Sequence, residues 1–85
     1  KMINVKIYCC REHQDYDKVY DTIRETLDEK GAEYDIKRIC RQEEICHSRI
    51  QAQPHIVINR QVVYVGYCPK KDEVLQVLKI MQLLK

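Results

Sequence analysis

The chain has 85 residues, of which 45% are hydrophobic and 33% are charged, and its formal net charge is +2. This composition is typical of a single small globular domain and excludes an intrinsically disordered chain. Basic and acidic residues are interspersed, so the sequence does not predict nucleic acid as a partner. No secretory signal and no apolar run of about 18 residues is present, so we expect a cytoplasmic protein without a membrane partner.

Five cysteines are many for a chain of this length, and an odd number cannot all be paired in disulfides. For a cytoplasmic protein, free thiols, thiol redox chemistry or metal ligation explain them better than structural bridges. Met2 lies directly before the first predicted strand, and we interpret it as the native start, with Lys1 as an addition.

The first predicted strand covers Ile3 to Cys9, because apolar and polar residues alternate there, and it ends at the adjacent thiols of Cys9 and Cys10. A helix is predicted from about Asp15 to Lys30, where apolar side chains recur at three- and four-residue spacing. Gly31 fits the position just after the helix, where the backbone adopts positive φ.

A second strand is predicted over Glu33 to Cys40, followed by a short polar helix from Arg41 to about Gln53. This helix should end before Pro54, since the residue preceding a proline leaves the helical region. His55 to Asn59 and Gln61 to Gly66 or Tyr67 predict a hairpin with a two-residue turn.

The last predicted helix covers about Asp72 to Leu84, with a broad apolar stripe. The predicted order is β-α-β-α-β-β-α, with the first two strands parallel and the last two antiparallel. The two hairpin strands are nearly continuous apolar runs, which favours burial on both faces. The sequence therefore predicts a single α/β domain, residues 1–85, with a four-stranded mixed sheet and helices on both faces.

This order resembles the thioredoxin-like fold in its short, glutaredoxin-sized form, and the resemblance covers nearly the whole chain. The small archaeal and bacterial redox-active-disulfide proteins are similar in size and pattern. The segments that resemble the family are Val5–Tyr8, Lys30–Tyr34, Gln53–Asn59 and Gly66 with the polar helix start near Lys70–Glu73. The resemblance implies a cis peptide bond before Pro54.

The chain departs from the family at its best-known motif, the Cys-x-x-Cys at the start of the first helix. Counting from Tyr8 forwards and from Gly31 backwards, those positions fall at about His13 to Tyr16, and neither end is a cysteine. The resemblance therefore implies the fold but not disulfide reductase activity.

The predicted topology gathers thiols and imidazoles at one edge of the sheet, with His13 in the adjacent loop. The residues expected along this edge are Cys9, Cys10, Cys40, Pro54, His55 and Cys68. The first interpretation is atypical thiol redox or electron-transfer chemistry with Cys10 and Cys9 as catalytic residues. Cys10 is the preferred nucleophile, because it lies between the strand end and the helix start, and Cys9 or Cys40 could resolve a mixed disulfide.

Two further interpretations stay open. Cys9, Cys10 and Cys40 could hold a soft metal or an iron–sulfur cluster, although their spacing gives this little support, and the preferred prediction has no cofactor. A catalytically inert domain could instead bind a protein at a groove formed by His13, Pro54, His55 and Cys68.

We expect a protein or low-molecular-weight thiol as partner, and a monomer or a weak homodimer. Plain packing is an equally good explanation for Cys9, Cys40 and Cys46.

Overall fold

A computed structural model of the chain describes residues 2–40 and 52–84. In chain order its elements are β1 (Ile3–Tyr8), α1 (Tyr16–Glu29), β2 (Tyr34–Ile39), β3 (His55–Ile58), β4 (Gln61–Val65) and α2 (Lys71–Ile80). The described residues thus form β-α-β-β-β-α, and all six elements were predicted. Most of their predicted ends agree with the structure within two residues, but α2 ends four residues before Leu84.

The predicted polar helix from Arg41 to Gln53 falls on residues 41–51, which lie outside the described residues. Its last two positions, Ala52 and Gln53, are described and lie in a bend that leads into Pro54. A helix that extends to Gln53 is therefore wrong at its C-terminal end.

The four strands form one mixed sheet in the order β2-β1-β3-β4. β1 pairs with β2 in parallel and with β3 antiparallel, so the predicted parallel pairing is confirmed. At the C-terminal end of β1, Tyr8 lies between Ile39 of β2 and His55 of β3. This register brings the ends of β1 and β2 and the start of β3 to one edge of the sheet.

The hydrophobic core lies between one face of the sheet and both described helices. β1 alternates strictly between buried and exposed residues, and Ile3, Val5, Ile7 and Cys9 all point into the core. The helices contribute Val19, Ile23, Leu27, Val74 and Leu78. Since α1 and α2 pack on the same face, the predicted arrangement with helices on both faces is not found among residues 2–40 and 52–84.

β4 corrects the prediction that both hairpin strands are buried on both faces. It is an edge strand, and its Val62 and Val65 side chains are 57% and 46% exposed. Tyr64 is buried in the core. Apolar β-branched residues on an exposed strand face give the same sequence pattern as a doubly buried strand, and this explains the error.

Among the described residues, no helix is long and apolar enough to span a membrane.

Both helices end in the same type of C-terminal cap. The N–H of Ala32 donates to the carbonyl of Leu27 after α1, and the N–H of Leu83 donates to that of Leu78 after α2. The residue directly before each donor has positive φ, which is +63° for Gly31 and +62° for Gln82. These are Schellman motifs, in which glycine is favoured at the positive-φ position.

The two caps give a matched pair of stability predictions. Gly31→Ala should destabilise the protein by about 1–2 kcal/mol, because an L-residue is strained at positive φ. A Cβ at Gly31 would meet no atom within 4 Å, so steric clash does not contribute. Gln82→Gly removes the same strain and should stabilise the protein by about 0.5–1 kcal/mol after the entropic cost of glycine. Urea unfolding measures both, and changes of equal sign would contradict this account.

Candidate functional site

The predicted sheet edge is formed by hydrogen bonds that continue beyond the ends of the strands. The N–H of Cys9 donates to the carbonyl of Ile39 at 3.1 Å, which extends the parallel pairing by one residue. On the other side of β1, the Tyr8 and His55 rings meet edge to face, with centroids 5.8 Å apart. The two cysteines that follow Tyr8 are therefore held at the centre of this edge.

Cys9 is part of the core rather than an exposed thiol. Its side chain is 1% exposed, on the face covered by the helices. Burial, with smaller contributions from the nearby Cys10, Asp15 and Cys68, raises the pKa of the Cys9 thiol to about 11. At neutral pH only about 10⁻⁴ of such a thiol is ionised, and the thiolate is the reactive form.

Cys10 is half-buried and is fixed through its backbone. Its N–H donates to Oε1 of Gln53 at 2.6 Å, and its carbonyl accepts the N–H of His13 at 3.0 Å. The first bond joins the end of β1 to the residue before Pro54. Gln53 was not predicted as a site residue, although its position before Pro54, in a segment that resembles the family, was a signal for it.

Pro54 is buried, and the Gln53–Pro54 peptide bond is cis. The Pro54 carbonyl accepts the N–H of Gly66 at 2.9 Å, which ties the end of β4 to this segment. Gly66 has φ +87°, and a Cβ there would lie 3.3 Å from the Ala52 Cβ. Glycine is thus favoured at position 66 by both backbone conformation and close approach.

His13 lies at the position where the resemblance places the first cysteine of the dithiol, and it supports the start of α1. Its Nδ1 accepts the N–H of Asp15 at 3.1 Å, and its carbonyl accepts the N–H of Tyr16. An imidazole that accepts a hydrogen bond at Nδ1 carries its proton at Nε2. The ring therefore takes part in the turn that leads into the helix.

His55 has a polar atom without a partner. Its Nδ1 is buried and makes no hydrogen bond within the part of the chain that the structure describes. Burial lowers the pKa of His55 below its ordinary value of 6.5. The ring lies between cis-Pro54 and Tyr8, so it forms a neutral, largely apolar wall of the edge near neutral pH.

Cys68 and Cys40 lie on different sides of the central thiols. Cys68 is half-buried against the core, contacts Thr22, and its Sγ is 3.6 Å from the Pro69 carbonyl. Burial is the main cause that raises the pKa of Cys68. Cys40 instead accepts a hydrogen bond from the Arg11 guanidinium, which raises the pKa of Arg11.

The metal interpretation finds no site among residues 2–40 and 52–84. No three His, Cys, Asp or Glu side chains in these ranges are placed to hold one metal ion. The predicted set of Cys9, Cys10 and Cys40 is therefore not placed to hold one metal ion. Cys46 and His47 lie outside the described residues. The arrangement can instead support chemistry at single thiols.

The buried imidazole predicts a pH dependence of stability. Between the lowered pKa of folded His55 and 6.5, the unfolded chain binds more protons than the folded one, so stability falls as pH drops through this range. His55→Phe should flatten the fall, and near neutral pH it should unfold no more easily, since the ring contact with Tyr8 remains. Denaturant unfolding of both proteins at several pH values measures the difference. Parallel pH profiles would contradict this prediction.

The chain is similar to known proteins both in its sequence family and in its fold. The family model described as "Thioredoxin domain" matches residues 2–79. No curated protein matches the sequence. A solved structure described as that of "a malarial protein" superposes with a TM-score of 0.73, at 8% identity, and covers 94% of this chain and 97% of that chain. At this identity the likeness shows the fold alone.

Proposed function

The chain belongs to the thioredoxin domain family, and we propose that it is an atypical member that exchanges thiols with disulfides through Cys10. The observation that supports this most is the hydrogen bond from the Cys10 N–H to Gln53, beside the cis-proline. It fixes a half-buried thiol next to the segment that the family resemblance associates with the active site. The substrate class is a low-molecular-weight disulfide or a disulfide of a partner protein.

The exchange needs one thiol of this chain. The Cys10 thiolate attacks one sulfur of the substrate disulfide, so that a bond forms between the Cys10 sulfur and that sulfur while the substrate S–S bond breaks. The second substrate sulfur leaves as a thiolate and takes up a proton. A low-molecular-weight thiol or a thiol of a partner protein then attacks the substrate sulfur of the mixed disulfide and displaces the Cys10 thiolate. The protein is therefore neither oxidised nor reduced overall.

The contrast between adjacent cysteines favours Cys10 over Cys9. Strand alternation places Cys9 in the core, where burial raises the pKa of its thiol to about 11. Cys10 follows on the loop and is half-buried. His55 and Tyr8 form a neighbouring wall that suits the apolar part of a substrate.

Cys10→Ser should remove most of the mixed disulfide that the wild type forms with oxidised glutathione near neutral pH, because the preferred reacting sulfur is removed. Cys9→Ala is the matched control and should keep most of the wild-type rate, since only about 10⁻⁴ of that thiol is ionised. Mass spectrometry of samples quenched with an alkylating agent measures the rate. Equal rates in wild type and Cys10→Ser would refute the proposal.

Gln53→Ala should slow the exchange severalfold, because the Cys10 N–H loses a hydrogen bond of about 1 kcal/mol and the thiol is held less firmly. Gln61→Ala, at an exposed residue of β4, is the control and should leave the rate unchanged. The same glutathione assay applies, with circular dichroism to check the fold. A folded Gln53→Ala protein with the wild-type rate would show that this contact has no part in the exchange.

A second candidate function is a binding module for extended peptides, which needs no thiol. It is favoured by His13, whose ring supports the helix start at the position where the resemblance places an attacking cysteine. The two functions differ in their dependence on Cys10. Peptide binding that survives Cys10→Ser, together with no exchange in the wild type, would favour the module.

A further inference from the structure

The parallel ladder between β1 and β2 continues for one pair beyond the two strands and places Cys9 opposite Cys40. The last pair inside the strands is Tyr8 with Ile39. The N–H of Cys9 then donates to the carbonyl of Ile39 at 3.1 Å. In a parallel ladder such a bond runs to the residue that precedes the partner of the donor. The partner of Cys9 is therefore Cys40.

The two cysteines belong to the same face of the sheet. Cys9 continues the buried row of β1, on the side of the helices. On β2 the opposite row consists of Tyr34, Ile36 and Arg38. The first two pack against the core, and the Arg38 guanidinium lies over two tyrosine rings of α1. Because side chains two positions apart share a face of a strand, Cys40 is the next member of this row.

This placement meets the backbone requirement of a disulfide. Both cysteines are free. Neighbouring strands lie about 4.8 Å apart, and bridged cysteines have Cα atoms about 4.4–6.8 Å apart. Two other thiols are less suited to Cys9. A bridge to the adjacent Cys10 is strained, and Cys68 follows β4, which β3 separates from β1.

We infer that Cys9 and Cys40 are a disulfide modification site, which closes when the protein meets a small-molecule disulfide such as oxidised glutathione. The bridge joins the ends of the two parallel strands, next to Cys10. It does not rest on the proposed exchange at Cys10, because neither of its sulfurs belongs to that reaction.

The different burial of the two thiols sets the order of their reactions. Cys40 is half-buried, and its sulfur accepts a hydrogen bond from the exposed Arg11 side chain, so it is the thiol that meets a dissolved disulfide. Cys9 is 1% exposed and meets only its neighbours in the fold. Cys40 is therefore attacked or attacks first, and Cys9 closes the bridge from within the core.

The chemistry balances in two exchanges. The Cys40 thiolate attacks oxidised glutathione, whose S–S bond breaks and releases one glutathione thiolate that takes up a proton. The Cys9 thiolate then attacks the Cys40 sulfur, forms the internal S–S bond and displaces the second glutathione. Two protein thiols are oxidised and one molecule of oxidised glutathione is reduced. Because burial raises the pKa of Cys9, the second exchange should be the slower one.

The test uses the full chain carrying Cys10→Ser, incubated with oxidised glutathione, quenched with an alkylating agent, digested with trypsin and mapped by mass spectrometry. In this protein Cys9 is the sole cysteine of the tryptic peptide 7–11, and Cys40 is the sole cysteine of peptide 39–41. The expected result is a cross-link between these two peptides. Adding Cys40→Ser should abolish it, whereas the control Cys68→Ser should leave it in place, with circular dichroism to check the fold of each variant.

Three results in the folded protein would overturn the inference. They are glutathione retained on Cys40 with Cys9 still a free thiol, a cross-link from Cys9 to another cysteine, and no change at either residue. Because Cys10 is absent from the protein tested, none of these results bears on exchange at Cys10. Conversely, a wild-type chain that fails to exchange at Cys10 can still form the bridge.

Discussion

The pairing of β1 with a neighbour on each side is the constraint on which the site depends. Tyr8 lies opposite Ile39 in the parallel ladder and opposite His55 in the antiparallel one. These pairings fix where β1 ends relative to cis-Pro54, and so they fix Cys9 and Cys10. A slip of one residue in this register would exchange the faces of all side chains on the strand and expose its buried set.

The same alternation places two adjacent cysteines in different environments. Cys9 continues the row of Ile3, Val5 and Ile7 into the core, where burial disfavours its thiolate. Cys10 begins the loop, and its backbone is bonded to Gln53 and His13. The sheet thus divides a pair of identical residues into a fully buried cysteine and a half-buried one.

The sequence was sufficient to predict the strands, the helices flanking them and the two-residue hairpin turn, because each follows from local patterns. Asn59 and Arg60 have φ of +47° and +71°, as a type I′ turn requires. Burial of β4 was predicted wrongly, since exposed valines on an edge strand resemble buried ones. The shared edge was predicted from topology, but the contacts of Gln53 with Cys10 and of Arg11 with Cys40 depend on tertiary placement that has no local pattern.

The start of α1 explains why thiol chemistry is expected at the strand end rather than at the helix. A helix N-terminus favours negative charge, and a cysteine placed there gains reactivity as the thiolate. In this chain carboxylates occupy that region, with Asp15 just before α1 and Asp17 in its first turn. Burial, and to a smaller extent Asp15, raises the pKa of both Cys9 and Cys68, and the Nδ1 of His13 accepts the Asp15 N–H. Carboxylates thus occupy the helix start in this chain, and Cys10, the thiol of the proposed exchange, lies before it in the loop that follows β1.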